Sequence, residues 1–97
     1  MNEFDKDPSA VLDYQFDWSS WLTTDETISA AVITITPVPA GLPPVGLTAG
    51  TPTINSGIVT VWLSGGLNGS RYIVACKITT NQNRVDERSV FINCFDR

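Results

Sequence analysis

The sequence predicts an all-β domain, an immunoglobulin- or fibronectin-like antiparallel β-sandwich of six to seven strands, and three observations predict it. Apolar and polar residues alternate with a period of two through several short runs, most plainly over residues 58–78, IVTVWLSGGLNGSRYIVACKI. Clusters of Gly, Pro, Asn and Ser separate those runs. No stretch has the three-and-four apolar spacing of an amphipathic helix. A small barrel is the alternative architecture. With 97 residues the chain makes one domain with a modest core and is too short for two.

Residues 1–9 read as a flexible, acidic N-terminal arm that ends at Pro8 and becomes ordered against a partner, with the single sandwich domain spanning 10–97. Leu12, Tyr14, Phe16 and Trp18 alternate with Asp13, Gln15 and Asp17, a half-buried first strand. Trp18 and Trp21 break that alternation, and a tight turn there would bring both indoles to one side. Residues 23–27 are a polar connection. Residues 28–36 are rich in β-branched side chains and form the second strand. Pro37, Pro39, Pro43 and Pro44 then exclude an interior strand, because proline lacks the ladder donor, and leave an edge or a loop.

Residues 45–48 and 51–54 are short strands about Ala49 and Gly50, and Asn55-Ser56-Gly57 turns the chain. Residues 58–63 follow as a strand. Gly65, Gly66, Asn68 and Gly69 reach positive φ at low cost, so the chain reverses there in a hairpin or an inter-sheet corner. Tyr72, Val74, Cys76 and Ile78 share one face of the next strand. Residues 79–87 are the polar tip of a second hairpin, and residues 88–95 alternate again as the last strand.

The charges are unevenly placed. Residues 1–26 carry seven carboxylates against Lys6, residues 27–70 carry no charge, and five basic residues against three acids follow from Arg71, for a net charge of −4. That balance argues against non-specific binding to nucleic acid or to an anionic membrane, which need a concentrated basic face. The charge-free middle has two readings: a Thr-, Ser- and Gly-rich solvated β surface, or a surface covered by neighbouring chains, since interface cores are depleted in charge.

Residues 28–35, the longest apolar-rich run, are too few to span a membrane. The acidic start lacks the apolar segment of a secretory signal, so synthesis in a reducing cytoplasm is expected. Cys76 and Cys94 are then buried free thiols. Pairing of their strands through a loop near Asn83 sets Cys76 nearer Val90 than Cys94, which disfavours a disulfide, and the spacing is not that of a CxxC metal pair.

With no histidine in the chain, Ser-His, Cys-His and histidine-metal sites are excluded within it. Asp25-Glu26 and Asp86-Glu87 sit in polar connections and read as solvated turn residues. The alternating acidic loop of a calcium site is missing. The glycine-rich corner lacks the Lys-Ser/Thr of a phosphate loop and precedes a strand. No catalytic, metal or cofactor site is expected. Trp18, Trp21 and Trp62 suggest a sugar-binding platform, against the more ordinary reading that they fill a core or a subunit interface. Arg71, Arg84 and Arg88 with Asp86 and Glu87 form a charged rim at one end of the last hairpin, either solvated or docked on an acidic partner such as residues 1–26 of another copy. The candidate interface residues are Trp18, Trp21, Trp62, Arg84, Asp86 and Arg88.

Several of these stretches together resemble a family of tailed-bacteriophage virion proteins, the fibre-to-tail adaptors. They are residues 12–22, LDYQFDWSSWL, followed by Asp25-Glu26-Thr27-Ile28, residues 59–66, VTVWLSGG, leading to Tyr72, then Ile78-Thr79-Thr80 and residues 84–89, RVDERS. The resemblance covers about residues 8–95, and the proline-rich insert 37–44 departs from it. It implies a non-enzymatic, Ig-like structural subunit, present in many copies and joining fibres to the tail or neck. Its partners would be tail, neck or fibre subunits and copies of itself, with no nucleic acid and no membrane. It would reside in the virion, assembled in the host cytoplasm. A capsid decoration (head cement) protein and, in a different class, a carbohydrate-binding adhesion module are the alternatives.

Overall fold

A computed structural model describes residues 2–7, 9–38 and 46–94. Eight strands follow one another: β1 (Asn2–Lys6), β2 (Leu12–Asp17), β3 (Ile28–Val38), β4 (Leu47–Ala49), β5 (Thr53–Asn55), β6 (Ile58–Gly65), β7 (Arg71–Thr80) and β8 (Val85–Cys94). Two sheets result, one ordered β1-β8-β7-β3 and the other β2-β6-β4, with β5 pairing the same side of β6 as β4. Neither closes into a barrel, and among the described residues there is no helix.

The core lies between the sheets and follows the two-residue period. Val59, Val61 and Leu63 of β6 face Tyr72, Val74, Cys76 and Ile78 of β7 and Val90, Ile92 and Cys94 of β8, all fully or nearly fully buried. Phe16 and Trp18 close one end, their rings stacked at 6.0 Å. Both thiols are free and buried. Cys76 stands opposite Arg88, two positions from the expected register.

Two expectations need correction. Eight strands form, not six or seven, because both short segments about Gly50 pair with β6 and the N-terminus adds a strand. Asn2–Lys6, expected within an arm, is β1, and it runs parallel to β8 in an otherwise antiparallel sheet. Its attachment has visible causes. Lys6 is completely buried and its Nζ donates to the carbonyls of Gly65 and Asp7, Glu3 pairs with Arg71, and Phe4 packs edge-on against Tyr14 at 5.3 Å. β3 runs two residues past the expected end, through Pro37 and Val38, and it is an edge strand of its sheet, a place the prolines were expected to allow. The rest of the proline-rich stretch, residues 39–45, and Phe95 of the expected last strand lie outside the described residues.

The glycine-rich segment after β6 is the corner where the chain leaves one sheet for the other, since β6 and β7 belong to different sheets. Gly65 and Gly66 take φ of 73° and 104°, and a Cβ on Gly66 would fall 2.5 Å from Cys94 Sγ, so both conformation and space demand glycine. Tyr72 ties the corner down, its hydroxyl accepting the Leu67 amide at 3.2 Å.

Candidate docking surface

Five of the six candidate interface residues meet at one end of the sandwich, where the 18–27 connection packs against the β7–β8 turn. After β2 the chain turns tightly, with the amides of Trp21 and Leu22 both bonded to the Trp18 carbonyl. That turn leaves Trp18 fully buried and Trp21 half-buried. Across from it, Thr80 ends β7 and the chain reverses through Asn83 at φ 62°, a conformation asparagine tolerates.

Polar contacts lock the two segments together. Glu26, buried despite its place in a polar connection, accepts a two-pronged contact from Arg84, with Nε at 2.8 Å from Oε2 and Nη2 at 2.5 Å from Oε1. The same carboxylate accepts from the Thr23 amide at 3.0 Å and the Thr80 hydroxyl at 2.7 Å. Thr80 Oγ1 in turn accepts the amides of Gln82 and Arg84. The Arg84 guanidinium lies 3.9 Å from the Trp21 ring and donates to the Trp21 carbonyl. Asn81 adds bonds to Thr27 and Asp25. The Arg84 contact first, and the Thr23 amide next, hold the Glu26 carboxyl far below the usual carboxylate range, and the same pairing raises Arg84.

A second, adjoining cluster is built on Trp18. Its indole N–H donates to Asp86 Oδ2 at 2.8 Å. Arg88 stands 3.7 Å from the same oxygen, lies over the Trp18 ring at 4.8 Å and donates to the Asp17 carbonyl. Asp17 itself is lowered chiefly by hydrogen bonds from Ser19.

Trp62 does not join them. It alternates with the buried Val61 and Leu63, so it points off the outer face of the β2-β6-β4 sheet opposite Asp13, and it is 52% exposed. The three tryptophans therefore form no common platform. Arg84, Asp86 and Arg88 keep about two-fifths of their side chains exposed, while their polar atoms are engaged by neighbours in the same chain. Sequence reasoning took Glu26 for a solvated turn residue, and the structure corrects it. The only available signal was its place between a tryptophan-rich turn and a β-branched strand.

This end brings together residues 12–28, 78–80 and 84–89, several of the stretches that carry the sequence resemblance. A family model described as podophage GP4 fiber-tail adaptor protein gp77 matches residues 6–93, from the end of β1 nearly to the end of β8. The chain belongs to this family, Gp77. No curated protein matches it. For this Gp77 member the match takes in both sheets and every residue of the pinned end. It makes the chain a structural protein of the phage tail, of the fibre-tail adaptor type.

Proposed function

We propose that the protein joins fibres to the tail or neck of the virion as a rigid, non-enzymatic subunit present in several copies. The observation that carries this reading is the Gp77 match over residues 6–93. The geometry supports it. The polar side chains at the pinned end are bound to one another, which suits a body that transmits force and gives a substrate little to meet. The strand orders support the Ig-like reading: β2-β6-β4 facing β3-β7-β8 is the arrangement of B-E-D against C-F-G in an immunoglobulin sandwich.

Docking would use other virion proteins as partners. Within the candidate set, exposed Trp62 and the outward parts of Arg84, Asp86 and Arg88 would make the contacts, and Trp18 and Trp21 would hold those parts in place. Assembly would take place in the bacterial cytoplasm. A reconstruction of the intact particle tests this reading. Density for the sandwich in a ring at the tail or neck is expected. Density spread over the capsid faces would make the protein a decoration subunit, and its absence from particles would remove the virion role and bring glycan binding forward.

A further inference from the structure

Open sheet edges invite pairing with another chain, and folded proteins blunt them with charges, short strands, interruptions or inward-pointing lysines. Three flanks of this sandwich carry such devices. β1 has only five residues, among them Glu3, Asp5 and the inward Lys6. The part of β8 beyond its reach, residues 85–89, carries Asp86, Glu87 and Arg88. β2 carries Asp13 and Asp17, and the side of β6 opposite it is covered by two three-residue strands separated around Gly50 and Pro52.

β3 has none of these along its length. It is eleven residues long and uncharged, its one register shift lies at Ile28/Ala30, and its proline lies at the other end. Among the described residues only β7 pairs with it, so the run Ala30 to Thr36, unbroken in register, presents an edge rich in β-branched residues with Val32 59% exposed. The flanks differ in charge as well. β1 and β2 touch through Phe4 and Tyr14 on the acidic side, while β3 contacts β4 on the side without charge.

We infer that the β3 edge is a self-association surface, on which a second copy pairs its own β3 antiparallel about a twofold axis near Ile33. The edge is self-complementary. In that register Val32 lies beside Thr34 of the other copy and Ala30 beside Thr36, so no like charges meet across the axis. The two four-stranded sheets become one of eight, and the acidic β1 edges end up seven strand spacings apart, about 34 Å at ~4.8 Å each. That is several Debye lengths at physiological salt, so the net charge of −4 on each copy does not oppose the contact. Pairing through β1 would instead bring Glu3 and Asp5 of two copies together.

Because it names the surface through which copies meet, this pairing rests on the multi-copy reading above. Light scattering of the purified full chain, from micromolar to millimolar concentration, tests it. A concentration-dependent rise from 10.5 kDa to twice that mass is expected. Val32→Lys and Thr34→Lys each set two lysines close to the twofold, as diagonal neighbours about 7–8 Å apart for position 32, and are expected to weaken association at least tenfold. Both positions are exposed. Thr34 stands opposite Ala75, so Thr34→Lys should leave the thermal transition of the diluted monomer in place, whereas Val32→Lys faces Lys77 within the chain and should lower it slightly. Val11→Lys, exposed and outside every strand, should leave association unchanged. A chain that stays monomeric throughout, or a dimer indifferent to both lysines, overturns the pairing. The monomer result would leave the edge to a strand of a different virion protein. Particle density decides the adaptor role separately, so the two readings fail in different experiments.

Discussion

Replacing Trp18 with phenylalanine separates the two roles that residue can have, an internal pin or a contact with a neighbour. The side chain has no exposed surface, and its N–H donates to Asp86 at 2.8 Å. The lost hydrogen bond contributes about 1 kcal/mol, below the range of roughly 1.5–3 kcal/mol usual for a charged acceptor, because the Asp86 side chain is 36% exposed and water can replace the indole. The part of the indole that a phenyl ring does not fill, at roughly 0.8 kcal/mol per methylene-sized group plus the cavity left behind, adds about 2 kcal/mol. A total near 3 kcal/mol should lower Tm by roughly 12–24 °C in a domain of this size. Circular dichroism melts of the wild type, Trp18→Phe, Asp86→Ala and the double variant provide the measurement. The cycle should show a coupling of about 1 kcal/mol between the two positions. Strictly additive costs, or a Trp18→Phe protein that melts like wild type but fails to enter particles, would refute the pin and make Trp18 a contact residue.

Acid should loosen the same end: Glu26 has a lowered folded pKa, so its contribution is complete above its ordinary value of 4.5 and is lost as pH falls through the depressed folded value. Denaturant midpoints measured below pH 4.5 should fall for the wild type and flatten for Glu26→Gln. Gly66→Ala should destabilise by about 1–3 kcal/mol, since the new methyl meets Cys94 Sγ from a left-handed backbone, and a neutral result in urea titration would discount the close corner. Burial, helped by the Glu87 charge, pushes the Cys76 thiol up to about 11, and burial raises Cys94 too. Iodoacetamide at pH 8 should therefore label neither in the folded protein and both in denaturant, as mass spectrometry would show.

Most of the sheet architecture was legible because two-residue alternation is a local property. Val59, Val61 and Leu63 announce a strand with one buried face, and the glycines at 65, 66 and 69 announce a reversal. What alternation cannot carry is which sheet a strand joins. The choice between hairpin and corner after β6 depended on packing between sheets, here on the space that Gly66 leaves for Cys94. β1 was hidden for a related reason. Asn2–Lys6 has the composition of a solvated arm, and only the long-range bonds of Lys6 to the corner and Glu3 to Arg71 give it a place in the sheet.

The pinned end shows the same limit more sharply, since its residues were recognisable and their roles were not. Arg84, Asp86 and Arg88 are charged residues beside a turn, and such residues are usually solvated. Their partners lie 58 to 71 residues away, at the end of β2 and on the connection that leads into β3: Glu26 for Arg84, Trp18 for Asp86, and Trp18 with the Asp17 carbonyl for Arg88. A buried carboxylate needs its lone pairs filled, and Glu26 meets that need from three segments: the Thr23 amide, the Thr80 hydroxyl and the Arg84 guanidinium. Removing any one donor leaves a buried charge short of partners, so the three segments are bound to move as one body. Such a network suits the rigid subunit proposed above. It also accounts for charged residues that look like a docking rim in the sequence being chiefly engaged inside the fold, while Trp62 stays 52% exposed on the outer face of the other sheet.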